Sequence, residues 1–266
     1  MMNGWLPPNA AAHGAQIDGA LNWVHVLMAI LFVGWILFFV IALWRFRRSK
    51  NPVASYTGVT SHTSTWIEIA VAFVEAILLV GLAVPLWAER VAKFPPEKDA
   101  VRVRLVGEQF AWNVHYPGPD GVFGRTSIDK IDLQSNPLGL DRSDPAAKDD
   151  VTTVNQLHLP VGKPVIVYLN SKDVIHSFNV PEFRIKQDAV PGITIPVWWI
   201  PTVTTAQMRQ RLGKPDFTYE IACAQLCGLG HYRMRGFVTI DEPAEFQKWM
   251  DEQVKAQAST GDDIFQ

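Results

Sequence analysis

The sequence holds only two cysteines among 266 residues, Cys223 and Cys227, and neither falls in a C-x-x-C or C-x-x-C-H spacing. The missing spacings exclude a thioredoxin-like redox pair and a covalently attached c-type haem. Basic residues are absent from the first twenty positions, which carry one acid, Asp18. A secretory signal peptide begins basic and has a shorter apolar core, so that reading is excluded as well. Formal charge is then absent across residues 19–44, a run of 26. That is enough to cross a bilayer core with some tilt. A large charge imbalance is also lacking. The net charge is -2 and the pI about 6.4, which gives no footing for nucleic acid. There is no internal repeat.

What is present begins with a basic cluster. Arg45, Arg47, Arg48 and Lys50 follow the first apolar run, and no acid appears until Glu68. Residues 69–88 are apolar again, interrupted only by Glu75. Four basic residues between the runs, against none in the N-terminal tail, place the connecting loop in the cytoplasm and both termini outside. The pattern predicts an N-terminal tail at 1–20, transmembrane helices at 21–45 and 66–88, and a cytoplasmic loop at 46–65. Glu68 and Glu75 lie seven residues apart, close to two turns, so they share one helix face. A carboxylate inside a span is costly and usually faces protein or water, which marks Glu75 for a buried partner or a proton route. Glu68 sits at a helix N-terminus, where the macrodipole favours it.

Residues 89–100 read as a polar linker with a Pro-Pro stop. Beyond it the hydrophobic period shifts to alternation, with strands predicted at 101–106, 156–159, 164–169, 195–200, 217–221 and 236–240. Many short strands divided by Gly and Pro turns predict a β-sandwich or barrel over 101–241. Residues 117–152 interrupt it with Pro, Gly, Ser and seven Asp, the composition of a long, solvated surface loop. Residues 242–266 read as a helix over 243–258 and a polar tail.

The chemistry concentrates in Cys223-Ala-Gln-Leu-Cys227-Gly-Leu-Gly-His231-Tyr-Arg-Met234. Thiolate, thioether and imidazole form a soft to borderline ligand set that selects copper over magnesium or calcium. A disulfide is the plain alternative for two cysteines outside the cytoplasm. A structural zinc site would want a fourth His or Cys and has no use for Met234. Two thiolates in one loop can bridge two metal ions, with one His for each. The loop has one His, so a second must come from elsewhere. His176, after the 164–169 strand, stands in the run Lys172-Asp-Val-Ile-His-Ser-Phe-Asn-Val-Pro181 and is the candidate. His13, His25, His62, His115 and His158 read as ordinary polar residues, although His62 precedes the second span.

With these stretches in view, the chain resembles subunit II of the haem–copper cytochrome c oxidases, the subunit that carries the binuclear copper A centre. The resemblance rests on the two-span hairpin, the run from Asp173 to Pro181, Lys186-Gln-Asp-Ala-Val-Pro-Gly192, the Cys223–Met234 loop, and the aromatic segment 101–116 with Gln109 and Trp112 in matching places. It implies a two-helix transmembrane hairpin followed by an all-β, cupredoxin-like Greek-key barrel or sandwich. It implies that His176, Cys223, Cys227, His231 and Met234, with the backbone carbonyl of Gln225, bind two coppers. It further implies electrons from cytochrome c, passed to haem a in subunit I. There, with copper B, dioxygen is reduced to water and protons are pumped. Glu68 resembles the carboxylate at the mouth of a proton channel into subunit I. The implied setting is the bacterial inner membrane, among lipid and other oxidase subunits, with both termini and the copper domain periplasmic.

Four positions depart from the family's pattern. Phe110 stands where many relatives place the exposed Trp that receives electrons, so Phe110 and Trp112 are the candidates for that role. Gln225 replaces a Glu whose side chain helps bind an interface magnesium ion in relatives. Val71 and Glu75 replace a common Trp and Pro, and Ile193 replaces an Arg after Pro-Gly. Other readings fit less well. A quinol oxidase subunit would lack the copper ligands. A nitrous oxide reductase needs a large propeller, and an assembly copper chaperone has a thioredoxin-like fold. A membrane-tethered mononuclear cupredoxin remains the alternative that metal stoichiometry would separate.

Overall fold

The computed structural model describes residues 5–54, 56–57 and 60–262, with the backbone alone described over 258–262. Parts of the expected tail 1–20, loop 46–65 and C-terminal tail lie outside the described residues. The chain divides into two compact units.

The first unit is helical. α1 spans Gly14–Arg45, starting earlier than the predicted span. No proline interrupts it, and Arg45 in its last turn complements the negative end of the helix dipole. α2 (Thr63–Leu78), a π-helical turn (Leu79–Ala83) and α3 (Val84–Ala92) run on as one apolar helix. Pro85 offers no N–H to a residue four back. The wider turn just before it relaxes the ladder there, with Val84 N–H reaching the Leu79 carbonyl. Residues 89–92, read as linker from the sequence, therefore continue the helix. Both helices are long and apolar enough to cross a membrane, and their most apolar windows are uncovered within this chain.

The second unit is the β domain. Its strands are β1 (Val101–Glu108), β2 (Ala111–Tyr116), β3 (Val151–Val154), β4 (Gln156–Pro160), β5 (Val165–Ser171), β6 (His176–Val180), β7 (Ile185–Ala189) and β8 (Ile195–Trp199). After a short helix α4 (Thr205–Leu212) come β9 (Tyr219–Cys223), β10 (Arg235–Asp241) and helix α5 (Pro243–Asp262). They form two five-stranded sheets, ordered β3-β2-β1-β5-β8 and β4-β10-β9-β6-β7. The parallel pairs β1·β5 and β4·β10 require the chain to leave a sheet and return to it. It does so by stepping repeatedly between the two sheets.

Alternation explains the core. In β1, Val103 and Leu105 point inward, while Arg102 and Arg104 stay partly exposed. Between the sheets, Trp112, Phe178, Phe183, Trp199 and Tyr219 are fully buried. Their rings meet in sequence: Trp112 on Phe178, Phe178 on Trp199, and Phe183 on both Trp199 and Tyr219. Each such side chain contributes about 1.5–3 kcal/mol relative to an exposed one. α5 closes one side, with Trp249 stacked on His158 at 4.2 Å and edge-on to Tyr116 at 5.4 Å.

Two readings of the chain are corrected by this packing. The 117–152 stretch is not simply solvated, because Leu140, Ala147 and Asp150 are buried and β3 begins at Val151. The N-terminal tail is likewise part of the β domain from Trp5 to Gly14. Ala10 and Ala11 are buried in its core. Ala10 N–H donates to the Glu182 carbonyl at 2.8 Å, and Ala12 N–H to Ile200 at 3.0 Å. The Ala10 carbonyl accepts from Thr202 N–H at 2.9 Å, and Arg184 Nη2 reaches the Pro7 carbonyl at 2.7 Å. Four hydrogen bonds and two buried alanines tie the strap to the domain. Deleting residues 5–13 should therefore lower the melting temperature of the β domain by about 5–10 °C in calorimetry of the detergent-solubilised chain. An unchanged melting temperature would show that the strap is not coupled to the domain.

Candidate metal centre

Neighbouring strands bring the predicted ligands together. β6 opens on His176, and β9 ends on Cys223 beside it, with Phe178 opposite Cys223 in the antiparallel register. Ala224 N–H donates to the Ser177 carbonyl at 3.0 Å, extending that pairing past the strand end. Cys223 N–H donates to the Met234 carbonyl at 3.2 Å and closes the stem of the ligand loop. Within the loop a single 3₁₀ turn over His231–Arg233 aims His231 and Met234 back at the cysteines. Gly228, with φ +136°, makes the bend that this requires.

The donor atoms converge. Cys223 Sγ and Cys227 Sγ are 3.8 Å apart. That is far longer than a disulfide bond of about 2.05 Å, so both are free thiols. His176 Nδ1 lies 3.9 Å from Cys223 Sγ, while His231 Nδ1 lies 3.6 Å from Cys227 Sγ. Met234 Sδ is 3.7 Å from Cys227 Sγ, and the Gln225 carbonyl oxygen is 3.2 Å from Cys223 Sγ. Each sulfur thus has its own imidazole nitrogen and its own weak donor. A soft donor set laid out as two linked halves fits copper. His176, Cys227 and Met234 are buried, and Cys223 and His231 half-buried, so the donors are shielded without being sealed.

The surroundings fix the ligands. Asp173 Oδ1 accepts from His176 Nε2 at 2.8 Å, which leaves Nδ1 facing Cys223 Sγ as the nitrogen open to a metal. Burial opposes charge on His176, but its bonds to Cys223 and Asp173 outweigh this and raise its pKa. Burial likewise pushes the Asp173 carboxyl up, and hydrogen bonds from Gln109 N–H and His176 bring it below its ordinary value. Of the two thiols, burial disfavours both thiolates. The hydrogen bonds around Cys223, His176 first, bring it down, whereas burial and the adjacent Cys223 charge push Cys227 up. The D-x-x-H spacing of Asp173 and His176 is a legible carboxylate–histidine signal in the sequence.

The remaining candidates fall in different places. Trp112 is fully buried, its ring 6.0 Å from His176 and edge-on, so it offers no surface to a partner. Phe110 is half-buried against the loop, where a side chain at Gly230 would come within 2.4 Å of its ring. Glu68 and Glu75 lie on α2 and are exposed within this chain.

Comparison with known proteins agrees with this arrangement. Residues 101–240 match the family described as cytochrome c oxidase subunit II, periplasmic domain. The alternative cytochrome c oxidase subunit 2 of Bradyrhizobium diazoefficiens is 34% identical, over 97% of this chain and 92% of that one. Cytochrome c oxidase subunit 2 of Cereibacter sphaeroides is 26% identical, over 92% and 78%. The haem–copper oxidase subunit 2 of Aeropyrum pernix is 29% identical, over 79% and 77%. A β-sandwich that follows two apolar helices in the chain, its sulfur and imidazole donors gathered at one end, and the match over residues 101–240 together place this chain in the cytochrome c oxidase subunit II family, as a bacterial-type subunit of a haem–copper oxidase.

Proposed function

We propose that the chain is the electron-accepting subunit of its oxidase. In this reading it holds two copper ions through His176, Cys223, the Gln225 carbonyl, Cys227, His231 and Met234. When bound, the copper pair supplies one-electron transfer, from cytochrome c toward haem a of subunit I, where dioxygen reduction is coupled to proton pumping. The observation that carries the reading is the paired layout: two thiol sulfurs 3.8 Å apart, each next to a different histidine nitrogen.

The protein's part is to keep those donors still. Cys223 and His176 sit at the ends of adjacent strands, and Asp173 holds the His176 ring. Burial of His176, Cys227 and Met234 excludes water from that side of the donor set. Outward, Leu226, Leu229 and Tyr232 stand exposed beside the ligands, and residues 223–234 contain no acid. That apolar face suits a protein partner, with Phe110 beneath it as the aromatic contact for incoming electrons. Trp112, behind His176, would serve only inside the domain.

The strap supports the two-pass membrane setting. Residues 5–14 belong to the β domain, so an even number of crossings separates them from it. Two apolar helices supply that number, which supports spans at 21–45 and 66–88 with both termini on one side; the basic residues Arg45, Arg47, Arg48 and Lys50 between the spans make that side the periplasm of the bacterial inner membrane. Glu68 and Glu75, on one face of α2, then serve a proton path toward subunit I.

Copper stoichiometry tests the proposal. The full chain, purified in detergent and reconstituted with copper, should hold two coppers and give an EPR spectrum with hyperfine splitting from both nuclei. One copper with an ordinary blue-copper spectrum would reduce the chain to a tethered mononuclear carrier and overturn the reading.

A further inference from the structure

The turn between β1 and β2 comes from the opposite sheet, yet it touches both segments that carry the ligands. Gln109 N–H donates to Asp173 Oδ2 at 2.8 Å, and the other oxygen of that carboxylate holds His176. The Gln109 side chain donates to the Cys227 carbonyl, 118 residues away. One residue therefore bonds to the histidine half of the centre through its backbone and to the cysteine half through its amide.

The backbone around Gln109 is cut to allow this approach. A Cβ at Gly107 would come within 2.8 Å of the His176 ring. A Cβ at Gly228 would come within 2.6 Å of Gln109 Nε2, and Gly228 has φ +136°. Lys172, next to Asp173, adds an N–H bond to the Gly107 carbonyl at 3.0 Å and an ion pair with Glu108 at 2.5 Å. No other residue among those described hydrogen-bonds to both ligand segments in this way.

We propose that Gln109, acting with Asp173, is a positioning residue that clasps the two halves of the metal centre and sets their separation. The proposal rests on the copper reading above. Without the clasp, the 223–234 loop keeps its stem bond at Cys223 but loses the tie at Cys227, the thiol nearer to His231 and Met234. Without Asp173, the His176 ring loses the bond that presents Nδ1 to Cys223. Partners of metal ligands typically alter metal affinity by 10–100-fold, so the clasp belongs to metal retention and to the equivalence of the two halves more than to folding.

The test uses the full chain in detergent, loaded with copper, and compares wild type with Gln109→Met, Asp173→Ala and Asp173→Asn. Gln109→Met keeps the side chain's length and removes its donor. Asp173→Asn keeps one acceptor for His176 and turns an N–H toward the Gln109 N–H. Copper release into a strong chelator should speed up roughly 10-fold or more in Gln109→Met and Asp173→Ala, and less in Asp173→Asn. The EPR hyperfine pattern should become unequal between the two nuclei, while the melting temperature of copper-free Gln109→Met stays near wild type; copper-free Asp173→Ala, which leaves the buried His176 Nε2 without its acceptor, should melt lower. Wild-type release rates and spectra in all three variants would overturn the proposal. A fall in the copper-free melting temperature of Gln109→Met that fully accounts for its faster release would also overturn it, because the clasp would then be structural only. A wild-type chain that never holds two coppers would instead sink the reading on which the proposal rests.

Discussion

A Cys227→Ser chain should hold at most one copper per molecule and lose the shared hyperfine pattern. Cys227 Sγ is the hub of the donor set, with Cys223 Sγ at 3.8 Å, His231 Nδ1 at 3.6 Å and Met234 Sδ at 3.7 Å. Serine offers a harder oxygen on a shorter bond, a poor match to copper beside a thioether. His231 and Met234 would then keep only the Cys223 thiolate, already paired with His176, and lose the sulfur nearest to both. Changing an outer partner of a metal ligand costs about 10–100-fold in affinity or activity. Losing a ligand that two ions would share should exceed that, so electron transfer in the assembled oxidase should fall by more than about 100-fold. The copper-free chain should melt within a few degrees of wild type, because serine replaces sulfur almost isosterically at one buried position. Copper analysis, EPR and cytochrome oxidation rates check the three statements together. Two tightly held coppers in the variant would show that Cys227 does not bridge.

That centre was legible because four of its side-chain donors fall within twelve residues, in an order that soft-metal chemistry explains. His176 is marked both by the loop's demand for a second imidazole and by the run Asp173–Pro181 around it. The six predicted strands all correspond to strands of the fold, and strands without a sequence signal lack one for physical reasons. β2 is buried on both faces, so it shows no alternation. β7 exposes Lys186 and Asp188 between the buried Ile185 and Ala189, and its polar content hides a short period. β3 has four residues and lies at a sheet edge. α4 is too short for its period to register, although Thr204 and Gln207 form a capping box whose T-x-x-Q spacing can be read. The strap was illegible for a different reason. Asn9, Ala10, Ala11 and Ala12 carry no periodic signal, and the burial of Ala10 and Ala11 depends on a strap tied to the Glu182 and Ile200 carbonyls. Such contacts are set by tertiary closure and leave no trace in composition.

The 117–152 stretch shows the same limit, and it carries the largest stability effect expected in the domain. Its seven aspartates suggest solvation, yet Asp150 is 1% exposed. Asp150 Oδ2 accepts from His115 Nε2 at 2.7 Å and from Gly124 N–H at 2.8 Å, and His115 is equally buried. Arg142 adds bonds to the Ala147 and Asp150 carbonyls at 2.7 and 3.2 Å, so the stretch is folded back onto β2 at its root. Gly124 is needed there, since a Cβ would come within 2.4 Å of Ala147. Asp150→Ala would leave one ring nitrogen and one backbone N–H buried without a partner. At about 1–3 kcal/mol each, the cost is about 3–5 kcal/mol. In a domain of this size that lowers the melting temperature by roughly 6–20 °C. Asp150→Asn, which retains one acceptor, should fall between. Limited proteolysis should cut the stretch faster in both variants, while copper content and EPR stay as in wild type, because none of the candidate ligands hydrogen-bonds to this corner. A melting temperature unchanged by Asp150→Ala would mean that the stretch is held by its surface contacts alone. A shifted copper spectrum would mean that β2 transmits strain from His115 to the Trp112 ring behind His176.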